Sequence, residues 1–487
     1  MNNQPSPPWL LAGAAKVVIT DEKAVPANDP LYAKALVLKS GDTTAVLATV
    51  DAVAIAEIGS IQNCYLETVR SRLADEPGID PARVIVNASH CHGRVCTDVA
   101  ERTVQAVREA HEALALVTVG VGTGHEDRIS ENRRLRLKIG KEADVRHAYA
   151  LPPDEEVASV EAIDPEIGIL RLNRETGETL AVVYNFAVHP ILGVPSGKNT
   201  ADITGFASQV IEDMTGNGAI ALFVQGATGD VNPIWYKDVD HPRDAKTLGN
   251  ILGLSTLEAL GEIHAQDSRE LNVIREMLQL PRADLSKHIA SLEKEQQEHL
   301  QTLKGTTLNL KTFVPLLIKH RLSPEYPTYA SHRYLHEREA GREDLDLFDE
   351  ENRRALNAYI DNIHTMERLT RIQTNINLLK RHQVRFKAEG ETVEVEVVGL
   401  RIGNFVLVTF PGELSVEIGL GIKQRSPHPY TFVAGVTNGY IYYTPTEAQL
   451  ENRGNAQEDS DCLVALEWQV LFEQKVGYQP VCHYAPA

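Results

Sequence analysis

Val86-Asn87-Ala88-Ser89-His90-Cys91-His92-Gly93 follows Ala82-Arg83-Val84-Ile85-Val86, an apolar run with the look of a buried strand, and ends it with two histidines one residue apart. On an extended backbone side chains repeat every second residue, so His90 and His92 are expected on one face and Cys91 on the other. Two imidazoles on one face can converge on an ion or a substrate. This stretch therefore predicts a site at the end of a strand, and three later stretches place metal-competent residues in the same way.

Working outward, residues 34–39 and 43–50 read as a β-hairpin around Ser40-Gly41-Asp42, delivering Asp51 at a strand end. A helix is expected over 58–73 and another over 97–114, the second with Thr97 and Asp98 as cap candidates. A strand over 116–122 leads to Ser130-Glu131-Asn132-Arg133-Arg134. This alternation predicts an α/β fold, a layered mixed β-sheet core flanked by helices.

A second hairpin, 168–173 with 179–186, ends in Phe186-Ala187-Val188-His189, and Asp202 stands where it can cap the next helix or reach the site. The strand 220–224 runs into Gln225-Gly226-Ala227-Thr228-Gly229-Asp230-Val231-Asn232-Pro233. That stretch suits a backbone-rich pocket wall or oxyanion site, or a tight turn in which Asp230 bonds its own backbone. A helix over 245–264 and a strand over 271–280 follow. Residues 281–382 turn charged, helical and glycine-poor, with Leu356, Tyr359, Ile360, Ile363, Met366 and Leu369 at core spacing and a loop over 321–327. The domain division is accordingly 1–280 with 383–487, interrupted by a helical insertion or lid at 281–382. Valine and glutamate alternate over 392–398 as in a half-exposed strand closed by Gly399. The strand 405–410 presents Glu413, the strand 430–435 precedes Tyr440, Tyr442 and Tyr443, and a last helix is expected over 463–473. No internal repeat or phosphate-binding loop is visible.

The composition narrows the partners. Lys and Arg number 48 against 67 Asp and Glu, a net charge of −19 that repels nucleic acid and anionic lipid. No stretch has the roughly 20 apolar residues of a membrane span, and no export signal is visible. Cys64, Cys91, Cys96, Cys462 and Cys482 form no CxxC pair, which fits a reducing cytoplasm. A small-molecule substrate is expected.

Taken together, His90-Cys91-His92, Phe186-Ala187-Val188-His189, Gly229-Asp230-Val231-Asn232-Pro233, Pro411-Gly412-Glu413 and Tyr443-Thr444-Pro445-Thr446 follow the order of motifs in the neutral/alkaline non-lysosomal ceramidases. The chain resembles the catalytic domain of that family outside 281–382. The resemblance implies a zinc ion held by His90, His189, Glu413 and Tyr443, with His92 as proton shuttle or substrate contact and Arg133 near the site. It also marks a departure, because the family's serine nucleophile is replaced by Asn232. An amide is no nucleophile, so zinc-activated water is expected instead, with Asn232 and Arg133 as oxyanion stabilisers. The family's C-terminal immunoglobulin-like domain is not expected here.

The expected function is zinc-dependent hydrolysis of an amide or related bond in a soluble polar substrate. Two alternatives stand beside it. One is metal-assisted lyase or isomerase chemistry on a sugar-like substrate, with Tyr440, Tyr442 or His92 moving the proton. The other is a non-catalytic descendant that binds a ligand.

Overall fold

The computed structural model describes residues 9–21, 23, 26–144, 151–236, 238, 240–329, 331–451 and 456–477. Cys482 and residues 1–8 lie outside the described residues. The chain divides into two compact units, residues 285–381 and all the rest.

In the larger unit the first sheet contains β1 (Leu11–Val18), β2 (Tyr32–Ser40), β3 (Thr43–Val50), β4 (Val84–Ala88), β5 (Ala115–His125), β6 (Glu166–Arg174), β7 (Thr179–Phe186) and β8 (Ile220–Gln225). Their spatial order is β8-β7-β6-β5-β1-β2-β3-β4, with Gln266–Asp267 adding to β5. A second sheet holds β9 (Leu271–Pro281), β10 (Thr392–Ile402), β11 (Phe405–Thr409) and β12 (Thr431–Ala434), in chain order.

Alternation of side chains sets the layers. In β2, Ala33, Ala35 and Val37 pack with Val69 and Val107 of the helices α1 (Tyr65–Asp75) and α2 (Val99–Glu112). Leu36 and Leu38, on the opposite face, join Leu400, Leu407 and Phe432 of the second sheet. The helices α3 (Asp202–Thr215) and α4 (Ala245–Glu262) cover the other half of the first sheet against Val182, Tyr184 and Phe223. Beyond the second sheet, Ile418 and Ile422, together with Trp468 and Phe472, pack with Val397 and Val408. Helix, sheet, sheet and helix thus form successive layers. Gly168 makes close approach of the sheets possible, since a Cβ there would stand 2.3 Å from the Phe432 ring.

One unit of topology recurs three times. An antiparallel hairpin leads through a helix to a strand parallel to the hairpin's second arm: β2-β3-α1-β4, then β6-β7-α3-β8, then β10-β11, the helix Val416–Arg425 and β12. The sequence, read as free of repeats, hides this because the recurring units share a pattern of burial rather than residues.

Several boundaries differ from expectation. The helix expected from 58 begins at Tyr65, because Glu57 and Asn63 close the preceding loop with bonds of 2.8 and 3.0 Å and Gly59 sits at φ +79°. Asp98 precedes α2 but accepts from Arg102 Nε at 2.9 Å rather than capping a backbone amide. The last helix starts at Trp468, since Cys462 and Val464 are engaged in β-bridges with Tyr442 and Arg282. Gly399 does not close its strand. β10 runs on to Ile402, and Glu396, expected on a half-exposed face, is buried against Arg70 at 2.5 Å and Arg275 at 2.9 Å.

The smaller unit is helical, with α5 (Ser286–Thr302), α6 (Leu310–Leu322), α7 (Arg333–Glu339) and most of α8 (Asp344–Glu389). Phe313 stacks on Tyr359, their ring centroids 4.4 Å apart, and Leu356 and Leu369 are buried. Ile363 and Met366 are exposed, so the apolar repeat is only in part a core stripe. Among the described residues no helix is long and apolar enough to cross a membrane.

Candidate metal centre and its cavity

Three strand ends of the larger unit deliver His90, His189 and Glu413 to one point. Their ligand-type atoms lie within 4.8 Å of one another, and each residue is only 2% exposed. Glu413 Oε2 stands 2.9 Å from His189 Nε2 and 3.4 Å from His90 Nε2.

Local backbone explains the convergence. After β4 the chain stays beside the end of β3, with Ser89 N bonded to Val50 O and His90 N to Ala52 O, both at 2.9 Å. His90 then takes φ +67°, so the extended alternation expected for His90 and His92 does not hold. The two rings still stand near each other, edge to face at 6.0 Å, while Cys91 is buried away from the cluster. His189 follows β7, its backbone N bonded to Val231 O at 3.1 Å. Glu413 lies in a short parallel pair, Glu413–Leu414 with Tyr443–Thr444.

Both imidazoles are oriented by main-chain carbonyls. His90 Nδ1 is 2.6 Å from Val53 O and His189 Nδ1 is 2.9 Å from Val231 O. Each Nδ1–H donates outward, leaving an Nε2 lone pair turned to the carboxylate, the arrangement that metal-binding histidines use. Tyr440 donates its hydroxyl to Glu413 Oε1, which leaves Oε2 facing the histidines. Two nitrogens and one carboxylate oxygen, all oriented and dry, fit a divalent cation such as zinc.

The electrostatics set the two rings apart. Burial would raise Glu413, but His90 and His189 more than offset it and hold its carboxyl well below the usual range. His189 is lowered to about 3, first by burial and then by Arg133. For His90, burial pulls down but Glu413 wins and the net direction is upward. His92 lines the cavity described below and is lowered to about 4 by desolvation and by His90.

Arg133 is set by a short antiparallel pair, Ser130–Asn132 with Val231–Pro233. Its guanidinium donates to Asn232 Oδ1 at 3.0 Å, pairs with Glu458 at 3.1 Å, bonds Gly229 O and lies 5.4 Å from the Tyr443 ring centre. Beneath it Arg134, fully buried, pairs with Asp459 and with Glu142 at 2.8 Å. Tyr443 stands beside His189, ring centroids 6.5 Å apart.

A cavity of about 580 Å³ opens here, lined by His92, Arg133, His189 and Tyr443 among others. Asn232 is not part of its lining. It meets the cavity through Arg133 and not as a direct donor, the role expected from sequence. The stretch from Gln225 to Pro233 is likewise no cavity wall. Asp230 accepts from Val416 N at 2.8 Å at the start of a distant helix, and Gly229 packs on Glu413 and Leu414. Asp202 does reach the cavity, but its carboxylate accepts from Ile203 N at 2.8 Å and Gly193 N at 2.6 Å. Sequence reading missed the Val53 and Val231 carbonyls, Glu458, and the wall residues Arg94, Lys198 and Arg243. Backbone acceptors carry no sequence signal, and isolated exposed cations resemble ordinary surface.

The layered fold is an architecture that known structures share. The chain is similar to the crystal structure of neutral ceramidase from Pseudomonas aeruginosa, with a TM-score of 0.60 and 15% identity over 97% of this chain and 74% of that chain. It is equally similar to a ceramidase complexed with C2, with a TM-score of 0.60 and 15% identity over 96% of this chain and 74% of that one. No protein-family model and no curated protein matches the sequence. The fold is ceramidase-like.

Proposed function

We propose that this protein is a zinc-dependent hydrolase that cleaves an amide or related bond in a soluble polar substrate. The buried His90, His189 and Glu413 cluster, opening through His189 onto the cavity, carries this reading. A zinc ion held by these three residues, with Tyr443 beside them, would polarise a carbonyl and acidify a water molecule. The rest falls to the chain's own groups. Tyr440 fixes the carboxylate rotamer of Glu413. His92 lines the cavity beside the cluster, where its ring can contact the substrate or carry a proton. Arg133 places a permanent positive charge where an oxyanion develops, and Asn232 holds it there. Asn232 in place of a serine leaves no nucleophile at that position, so the attacking group is water.

The test is elemental analysis of untagged protein with hydrolysis in ¹⁸O-water. Supporting results are one zinc per chain, lost in a His90→Ala/Glu413→Ala double variant, and ¹⁸O in the acid product. Full activity in metal-free protein, or turnover without ¹⁸O incorporation, overturns the proposal.

A further inference from the structure

The cavity beside the metal cluster carries the opposite charge to the chain. The protein has a net charge of −19, yet four cations, Arg94, Arg133, Lys198 and Arg243, line this cavity against the single carboxylate of Asp202. That carboxylate is occupied by the two backbone amides described above. Arg133 is held by its own partners, but Lys198 and Arg243 make no ion pair among the described residues, and both are exposed. Arg94 pairs with Asp21 only at 3.9 Å, and its side chain is 60% exposed. Arg243 lies 5.5 Å from the ring centre of Tyr236, another residue of the lining.

The backbone that carries these cations is fixed. Asn199 bonds Arg94 at both main-chain atoms, accepting from its N and donating to its O, each at 2.8 Å. Asn199 N reaches Pro26 O at 3.0 Å, and Ala201 N reaches Asp29 Oδ2 at 2.8 Å. Ala245 N, at the start of α4 just after Arg243, bonds Gly193 O at 2.8 Å. Three segments that follow β4, follow β7 and precede α4 are thereby joined into one wall. On a chain that otherwise repels anions, exposed cations around a concave space attract and hold a negative group.

We propose that this cavity binds an anionic group of the substrate, a carboxylate or a phosphate, through Lys198, Arg243 and Arg94, next to the bond presented to the metal cluster. The substrate class is then an acylated small molecule with an acidic group. This rests on the hydrolase reading for the chemistry, but anion binding itself needs no turnover.

The experiment measures dissociation constants by NMR titration with three probes: N-acetylglycine, N-acetyl-O-phosphoethanolamine and the neutral N-acetylglycinamide. The wild-type protein is expected to bind one of the two anions about tenfold more tightly than the amide, and whichever anion is favoured identifies the group. An Arg243→Gln/Lys198→Gln variant is expected to lose this preference, while His90→Ala/Glu413→Ala keeps it. Equal binding of all three probes overturns the proposal, as does a preference that survives Arg243→Gln/Lys198→Gln or disappears with the metal-ligand variant. A preserved anion preference in a protein that hydrolyses nothing refutes the hydrolase reading and leaves this one standing.

Discussion

Arg133 donates to Oδ1 of Asn232 across 3.0 Å, so the amide oxygen of Asn232 serves to aim an arginine. Asn232 is then a positioning residue, and what it must supply is an acceptor. Asn232→Asp keeps an oxygen toward Arg133 and is expected to retain activity, whereas Asn232→Ala is expected to lower kcat by about tenfold or more, with a smaller change in KM. Steady-state kinetics on the two variants check this, and equal losses in both would contradict it.

Tyr440 is buried and gives its hydroxyl to Glu413. Tyr440→Phe keeps the ring and removes the bond that orients the carboxylate. Support of this kind is worth roughly 10–100-fold in metal affinity. Competition with a chelator is expected to show that loss at an almost unchanged melting temperature, and unaltered affinity would mean that Glu413 is oriented by packing alone.

Asp51 supplies a pH dependence away from the cluster. Burial raises its carboxyl to about 6, against the opposing pull of Lys34 and of Tyr32 N, which it bonds at 2.8 Å. Between the ordinary Asp value of 3.8 and about 6 the folded state binds more protons than the unfolded one, so this group makes stability fall as pH rises. Its contribution is complete below the lower value and lost above the higher, about 3 kcal/mol in all. Denaturant melts at pH 4 and pH 7 are expected to show Asp51→Asn gaining on the wild type by that order as pH rises, and parallel curves would count against it.

Gly229 tests how tightly the second and third topological units are seated. A Cβ there would lie 2.5 Å from Glu413 O and 2.9 Å from Leu414. Gly229→Ala is expected to cost about 1–3 kcal/mol and to weaken zinc binding by displacing Glu413. Gly261→Ala in α4, where a Cβ meets nothing within 4 Å, is the control and is expected to be neutral or slightly stabilising. Thermal melts with metal analysis on the pair decide it.

What the sequence discloses and what it hides divide along physical lines. Strands ending at His90, His189 and Glu413 are legible because an apolar run followed by a polar tip is a local pattern, and the layered α/β class follows from strand and helix alternation. The φ of +67° at His90 is not legible, since it is imposed by the β3 tail through Val50 O and Ala52 O. Glu396 looks like the wet face of a strand because its partner Arg70 lies 326 residues away. Asn232 looks like a direct participant until it is seen to hold Arg133. Long-range pairing decides each of these, and a local pattern cannot contain it.

The threefold recurrence of hairpin, helix and parallel strand has a consequence for how the molecule comes into being. His90 belongs to the first unit, His189 to the second and Glu413 to the third, so no fragment of one or two units holds the full donor set. An ion bound there would tie together segments that lie 224 residues apart between His189 and Glu413. The three donors therefore come within reach of one another only when the third unit has docked on the first two, so the cluster records the completed packing of all three.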